Sequence, residues 1–253
     1  GIEGIEETAE GNWIPPTDMT WIKKVFASGK LIDVVGQFSD FLNIGDVVLV
    51  RRLNDQDGNF LHWSLRQVSE VQGAFMAMDV NNGRVIAMQG GFSYESSVFN
   101  RATQAKRQPG SSFKPFVYAS ALDSGYSPAT VVVDAPIEID TPQGLWRPKN
   151  SNDKFYGPTP LRTGIEMSRN LMTIRLAREV GLDIIAEYAE KFGVYDNMKE
   201  FLENSLGSEE TTLYRMVAAY AMFANGGERV MPTMVDRIQD RYGKTIFKHD
   251  QRI

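Results

Sequence analysis

The arrangement of apolar and polar residues changes along this 253-residue chain, from short strand-like runs in its first third to longer helical repeats afterwards. The strand-like runs are separated by Gly, Asn, Asp and Pro, the residues typical of turns. The runs are residues 47–50 with 60–68, joined through residues 54–59, and residues 74–79 with 84–88, joined through Asn81-Asn82-Gly83. Both pairs are predicted to form β-hairpins, and we assign residues 1–69 to a small β domain.

Apolar residues recur every three to four positions in the later part of the chain, which predicts amphipathic helices. The predicted helices cover residues 113–124, 159–167, 170–180, 184–192 and 211–224. Residues 134–160 are rich in Pro, Asn, Asp and Gly, and therefore predict an irregular loop. The expected fold class is α+β: the small β domain is followed, over residues 70–253, by an antiparallel sheet with a block of helices.

Composition excludes several kinds of site. The chain has no cysteine and two histidines, His62 and His249, so disulfides, thiol catalysis and multi-histidine metal sites are excluded. We predict no metal and no cofactor. The net charge of −5 argues against a nucleic-acid-binding surface. The longest apolar run, residues 217–224, is much shorter than the ~18 residues that span a bilayer, so we expect no part of the given chain to contact the membrane.

A serine nucleophile without a suitable histidine can use lysine as its proton acceptor, provided that the lysine is desolvated. Ser111-Ser112-Phe113-Lys114 places a serine and a lysine three residues apart at the start of a predicted helix, where both lie on one face. Roughly one Ser-x-x-Lys is expected by chance in a chain of this length, and a capping serine followed by a surface lysine is the simpler interpretation. A second copy, from Ser151 to Lys154, lies in the predicted loop, where we expect it to be solvated.

A second short motif, Ser168-Arg169-Asn170, lies between two predicted helices. Taken alone, it is interpreted as another helix cap. Together with Ser111 and Lys114, however, it matches the Ser-x-x-Lys plus Ser-x-Asn pattern of penicillin-recognising serine acyltransferases.

Longer stretches around these motifs resemble class A penicillin-binding proteins, which are bifunctional peptidoglycan synthases. The resembling stretches are RQPGSSFKPF at 107–116, RPKN at 147–150, LRT at 161–163, SRNLMT at 168–173 and MFANGG at 222–227. The resemblance extends over residues 73–245, and the preceding β domain is similar to the family's oligonucleotide-binding (OB)-like domain. It implies an OB-like domain followed by part of a penicillin-binding, β-lactamase-like transpeptidase domain.

The resemblance also implies a serine-type D,D-transpeptidase that uses no cofactor. Ser111 would attack the D-Ala-D-Ala bond of a peptidoglycan stem peptide, and Lys114 would take its proton. Ser168 would relay a proton to the leaving amine, and Asn170 would hold the substrate amide. An amine from a neighbouring stem peptide would complete the cross-link, whereas β-lactam antibiotics would leave Ser111 acylated. Ser112 is a rival nucleophile, but it stands two residues from Lys114 and should face elsewhere.

The family's third motif, Lys-Thr-Gly, is absent, because Gly243-Lys244-Thr245 is followed by Ile246. We therefore expect a truncated transpeptidase domain with an incomplete cleft, in which the strands at 74–80 and 84–89 expose apolar surface. The acidic start, residues 1–10, does not fit a signal peptide. The resemblance implies a parent protein with a glycosyltransferase domain, anchored at the periplasmic face of the bacterial inner membrane.

Two other interpretations stay open. The first is a β-lactamase or D,D-carboxypeptidase of the same superfamily, which would turn over penicillin instead of retaining it. The second is a non-catalytic binding module, in which the β domain at 1–69 contacts glycan or cell-wall regulatory proteins. Partner binding that survives Ser111→Ala and Lys114→Ala would favour the second.

Overall fold

The structure, a computed structural model, describes residues 12–27, 29–34, 38–141 and 144–249. It divides into two compact units, residues 1–71 and 72–253. The acidic segment at 1–10 lies outside the described residues. Within the described ranges, the strands pair as two-stranded antiparallel sheets, so local hairpins are the main β structure of both units.

The first unit contains two β-hairpins. Its strands are β1 (Lys24–Ala27), β2 (Lys30–Asp33), β3 (Leu49–Asn54) and β4 (Phe60–Arg66). β1 pairs with β2 and β3 pairs with β4, so the predicted hairpin over 47–68 is confirmed, although its first strand begins at Leu49. The turn between β3 and β4 is held by Asp55, whose carboxylate accepts hydrogen bonds from the backbone N–H groups of Asp57 and Asn59.

The second unit begins with the other predicted hairpin, formed by β5 (Phe75–Met78) and β6 (Val85–Gln89). Gly83 in its turn has a φ of 75°, a left-handed conformation that favours glycine. Phe75 and Ile86 are 60% and 69% exposed, which agrees with the apolar surface expected on these strands. The later strands are β7 (Val131–Asp134), β8 (Ile139–Thr141), β9 (Gly144–Trp146), β10 (Gly157–Pro160), β11 (Arg237–Gln239) and β12 (Thr245–Lys248).

The segment at 134–160 is only partly irregular: residues 135–138 and 147–156 contain neither helix nor strand, but the prediction is wrong where strands form. β8 pairs with β9 inside this segment, and β7 pairs with β10 across it. Three consecutive valines, residues 131–133, favour the extended conformation of β7. The predicted helix start at Thr159 is also wrong, because Pro160 follows it and a residue before proline avoids helical dihedral angles.

The helices form the core of the second unit. They are α1 (Lys114–Asp123), α2 (Leu161–Glu166), α3 (Asn170–Val180), α4 (Leu182–Lys191) and α5 (Leu213–Ala224), each ending within two residues of its predicted bounds. α1 is enclosed on several sides, with Phe116, Val117 and Ala121 fully buried. Because α1 packs against both α3 and α4, its first residues are surrounded by other elements.

Aromatic rings surround the first turn of α1. The centroid of the Phe116 ring lies between 5.0 and 5.8 Å from the ring centroids of Phe113, Phe192, Tyr220 and Phe223. Burial of a phenylalanine side chain stabilises a fold by about 1.5–3 kcal/mol, and aromatic pairs add to that. This packing fixes the end of α1 at which the candidate site lies.

Candidate active site

The side chain of Lys114 is enclosed at the start of α1, and the residue is only 2% exposed. Its Nζ atom lies 2.7 Å from the backbone oxygen of Ser168 and 3.0 Å from the Ser168 hydroxyl. Oδ1 of Asn170 lies 2.6 Å from the same Nζ atom. Three of the four predicted site residues therefore form one hydrogen-bonded cluster.

Burial lowers the pKa of Lys114 from its ordinary value of 10.5 to about 8, because the enclosed amine is poorly hydrated when charged. The three groups that Nζ contacts are uncharged. A neutral lysine amine has two N–H donors and one lone pair, and the two donors match the carbonyl oxygens of Ser168 and Asn170, which can only accept. The lone pair then remains for a hydroxyl proton, so the arrangement suits a base.

Ser168 has a backbone conformation that serine seldom adopts, with a φ of 53°. It follows the end of α2, where the Arg169 N–H donates to the Gly164 oxygen (2.9 Å) and the Ser168 N–H donates to the Ile165 oxygen (3.1 Å). This pattern is a Schellman motif, which usually has glycine in the left-handed position. The conformation costs about 1–2 kcal/mol, and in it both the hydroxyl and the carbonyl of Ser168 contact Lys114.

Asn170 is the first residue of α3, and both ends of its side-chain amide are engaged. Oδ1 accepts a hydrogen bond from Lys114, and Nδ2 donates to the carbonyl of Lys149 over 2.8 Å. An amide nitrogen carries two hydrogens, so Nδ2 can also donate to a carbonyl group that enters the site.

Ser111 is exposed on a short 3-10 turn, Gly110–Phe113, that leads into α1. Its backbone oxygen accepts a hydrogen bond from the N–H of Lys114. The turn is braced by Gly207, whose oxygen accepts from the Gly110 N–H over 3.0 Å. A Cβ atom on Gly207, which has a φ of 76°, would lie 2.6 Å from the Gly110 nitrogen, so the contact requires glycine. Among the hydrogen bonds of the described residues, none joins the Ser111 hydroxyl to the Lys114 cluster.

Ser112, the rival nucleophile, is bound into the same turn. Its hydroxyl donates to the carbonyl of Pro109 over 2.6 Å. Its own carbonyl accepts a hydrogen bond from the Tyr220 hydroxyl over 2.7 Å. The Ser112 hydroxyl is therefore occupied with the backbone, which leaves Ser111 as the better candidate.

The second Ser-x-x-Lys lies on the surface, in agreement with the expectation for a loop copy. Ser151 and Lys154 are both exposed. Asp153 between them has a φ of 55°, so the segment is not helical. In the described part of the chain, the hydrogen bonds of Lys154 are made by its backbone N–H and carbonyl, with the side chains of Asn152 and Asn150.

The motifs assign no role to Asn150, which connects the cluster to the buried carboxylate of Asp134. Oδ1 of Asn150 accepts from the backbone N–H of Asn170 over 2.8 Å, and Nδ2 donates to Asp134 over 2.7 Å. The RPKN stretch that ends at Asn150 was the available signal. Sequence spacing alone does not reveal a contact between residues 20 positions apart.

The described residues contain neither a candidate metal-binding cluster nor a candidate membrane-spanning helix. In those ranges, no three His, Asp or Glu side chains come close enough together to hold a metal ion. None of the helices there combines the length and the apolar character needed to cross a bilayer.

Two family models match the chain. Residues 73–252, well over half of the chain, match the penicillin binding protein transpeptidase domain. The chain belongs to the penicillin-binding protein transpeptidase family. Residues 4–71 match the penicillin-binding protein OB-like domain. These matches confirm the predicted fold class, an OB-like β domain followed by a transpeptidase domain.

Curated relatives of this transpeptidase family member come from several bacteria. Penicillin-binding protein 1A of Rickettsia bellii is 44% identical over 241 residues, which are 94% of this chain and 29% of that protein. Penicillin-binding protein 1A of Vibrio cholerae is 39% identical over 239 residues, which are 93% of this chain and 29% of that protein. The resemblance to class A penicillin-binding proteins is thereby confirmed, and the chain spans less than a third of the length of these relatives.

Solved structures share the fold. Penicillin-binding protein 1A from Haemophilus influenzae superposes with a TM-score of 0.72 at 39% identity, over 79% of this chain and 30% of that chain. PonA1 from Mycobacterium tuberculosis, solved in complex with penicillin V, gives a TM-score of 0.64 at 25% identity, over 73% of this chain and 53% of that chain. The transpeptidase fold is therefore shared well beyond the short motifs.

Proposed function

We propose that this domain is a serine-type D,D-transpeptidase that cross-links peptidoglycan stem peptides, with Ser111 as its nucleophile. The observation that carries the proposal is the enclosed amine of Lys114, which has a lowered pKa and two partners that only accept hydrogen bonds. Such an amine can act as a base near neutral pH. Membership of a transpeptidase family supports the same chemistry.

In the acylation step, Oγ of Ser111 bonds to the carbonyl carbon of the penultimate D-Ala, while its proton moves to Nζ of Lys114. The C–N bond to the terminal D-Ala then breaks. A proton passes from Lys114 through the Ser168 hydroxyl to the leaving nitrogen, and free D-alanine departs. The 3.0 Å contact between Lys114 Nζ and the Ser168 hydroxyl supports this relay.

In the transfer step, the amine of a neighbouring stem peptide attacks the ester carbonyl carbon. The C–O bond to Ser111 breaks, and the surplus proton of the amine returns through Lys114 to Oγ. The product is the amide of the cross-link. We assign to Asn170 the binding of the stem-peptide amide, because its Nδ2 has one hydrogen left for a substrate carbonyl.

β-Lactams would react at the same hydroxyl. Oγ of Ser111 would bond to the lactam carbonyl carbon, the ring C–N bond would break, and the proton would end on that nitrogen. The nitrogen stays tethered to the adduct, so the chain would remain acylated. The PonA1 complex with penicillin V supports this class of ligand.

The cellular setting belongs to the same proposal. Peptidoglycan stem peptides are the proposed substrates, and the periplasmic face of the inner membrane is the proposed location of the parent protein. The penicillin-binding protein 1A relatives support both. In this proposal, the OB-like domain is the part of the chain that contacts cell-wall regulatory proteins.

The test is the intact mass of the chain after incubation with excess penicillin V. We expect one penicilloyl adduct on the wild-type chain and on Ser112→Ala, and none on Ser111→Ala. An adduct that persists on Ser111→Ala would contradict the proposal. So would a wild-type chain that stays unmodified both as it stands and after a C-terminal segment carrying the Lys-Thr-Gly motif is joined to it. Continuous release of penicilloate would instead favour a β-lactamase or D,D-carboxypeptidase of the same superfamily.

A further inference from the structure

The side chain of Asn150 is buried, with the residue 4% exposed, and all its hydrogen-bonding capacity is used. Oδ1 accepts from the backbone N–H groups of Asn170 (2.8 Å) and Leu171 (3.3 Å). Nδ2 donates to Oδ1 of Asp134 (2.7 Å) and to the carbonyl of Lys154 (2.9 Å). A primary amide has two acceptor sites and two donors, so Asn150 has one possible orientation here.

Asn150 supplies the cap that α3 lacks locally. The residue before the helix, Arg169, makes no side-chain capping hydrogen bond. The N–H groups of the first two helical residues instead donate to Asn150, which lies 20 positions earlier in the chain. The first helical residue, Asn170, therefore makes two hydrogen bonds: its backbone N–H donates to Asn150, and its side-chain oxygen accepts from Lys114.

A buried charge pair stands behind this cap. Asp134 is 0% exposed, and its second oxygen lies 3.8 Å from Nε of Arg169. In the described part of the chain, neither of these two atoms has a hydrogen-bond partner, so they compensate each other as an ion pair. The guanidinium of Arg169 also stacks on the Tyr156 ring, 3.5 Å from its centroid. Arg169 is the central residue of the Ser168-Arg169-Asn170 motif, which places this support directly against the site.

We propose that Asn150 is a positioning residue for the acylation reaction. It fixes the start of α3 against the Asp134 carboxylate, and thereby holds the Asn170 side chain in the place where it accepts from Lys114. The inference rests on the proposed function, in which Lys114 is the base. Asn150 touches no substrate atom in this mechanism and acts through Asn170.

The test compares Asn150→Asp and Asn150→Ala with the wild-type chain. In Asn150→Asp the donors to Asp134 and Lys154 become acceptors, and two carboxylates meet in a buried place. We expect the penicillin V acylation rate to fall by at least about tenfold in both variants, which is about 1.4 kcal/mol of activation free energy. Asn197→Asp and Asn197→Ala, at an exposed asparagine, are the matched controls and should acylate at the wild-type rate.

A second readout separates positioning from general loss of stability. NMR titration of 13C-labelled lysine methylenes reports the pKa of Lys114, which we expect to rise by about one pH unit in both Asn150 variants. The double variant Asp134→Asn with Asn150→Asp restores a donor–acceptor pair at this contact, and we expect it to recover part of the acylation rate. The titration needs no acylation, so it tests the position of Lys114 even if the wild-type chain fails to react with penicillin.

Three results would overturn the inference. The first is a wild-type acylation rate and a wild-type Lys114 titration in both Asn150 variants. The second is a loss of acylation that follows the melting temperature alone, with the Lys114 pKa unchanged. The third is a double variant that folds but is no better than Asn150→Asp.

Discussion

The segments 111–114 and 151–154 have the same Ser-x-x-Lys spacing and opposite environments. In the first, the spacing runs from a 3-10 turn into α1, and Lys114 is 2% exposed with three hydrogen-bond partners at its amine. In the second, Asp153 has a left-handed backbone conformation that excludes a helix, and Lys154 is exposed. The spacing is therefore common to a candidate base and to a surface residue.

Burial, and not spacing, is what distinguishes the lysine suited to proton transfer from the surface lysine. Enclosure lowers the pKa of Lys114 to about 8, and both N–H donors of the neutral amine still have acceptors, the carbonyl oxygens of Ser168 and Asn170. The enclosure comes from elements far away in sequence, namely the end of α2 and the start of α3 at Ser168 and Asn170.

The largest expected effect is on the acylation rate, when the serine and the lysine of each segment are substituted one at a time. Ser111→Ala and Lys114→Met remove the proposed nucleophile and base, so we expect the acylation rate by penicillin V to fall at least about 10³-fold. Ser151→Ala and Lys154→Met, at the exposed copy, should stay within about twofold of wild type. Stopped incubations read by intact mass give the rates. A comparable loss in the exposed copy would remove the distinction between the segments.

A substitution at Gly207 should destabilise the turn that holds the first segment, without changing any side chain of residues 111–114. Gly207→Ala places a Cβ against the backbone of Gly110, and we expect about 1–3 kcal/mol of destabilisation from the collision, added to the strain of its positive φ. Gly125→Ala is the matched control, because its φ is 96° with open space at the Cβ position. It should cost only the strain, about 1–2 kcal/mol. Chemical denaturation measures both, and equal losses would show that the Gly110 contact carries no weight.

The pH dependence of acylation should follow Lys114. In the proposed mechanism the neutral amine is the base, so we expect the acylation rate to rise about tenfold per pH unit at low pH and to level off above a pH of about 8. Lys154→Met should leave this profile unchanged. An acylation rate that stays constant between pH 6 and 9, when penicillin itself does not decompose over that range, would argue against Lys114 as the base.

The smallest expected effect is on the way the free energy of unfolding depends on pH. The folded state of the wild-type chain releases the Lys114 proton near pH 8, whereas an unfolded lysine keeps its proton to about 10.5. The folded state thus binds fewer protons in this window, and the free energy of unfolding should gain at most about 1.4 kcal/mol per pH unit. Lys114→Met removes this gain, so the difference between wild type and variant should grow from pH 8 to 10. Urea unfolding at several pH values checks it, with Lys154→Met expected to behave as wild type.

Local pattern predicted much of this fold. The bounds of α3 match the prediction because the apolar spacing continues to Val180 and Gly181, with a φ of 104°, ends the helix. The hairpin of β5 and β6 follows from its Asn-Asn-Gly turn. The same reasoning failed at residues 134–160, because turn-forming residues are as common in short hairpins as in loops.

The candidate site was predictable only in part. Ser111, Lys114, Ser168 and Asn170 carry recognisable motifs, but their supports are contacts between distant residues. Gly207 meets Gly110 almost a hundred positions away, and Asn150 meets both Asp134 and Asn170. No periodicity or propensity in a single sequence encodes such pairs, since they arise when the elements pack.

The left-handed conformation of Ser168 has a consequence for anyone who engineers this domain. Helix-end rules would recommend glycine there, and a selection for heat resistance alone would reward Ser168→Gly. The same exchange would delete the hydroxyl that contacts Lys114. Thermostable libraries of this domain are thus best screened with a penicillin label, so that variants improved in folding at the expense of acylation are discarded.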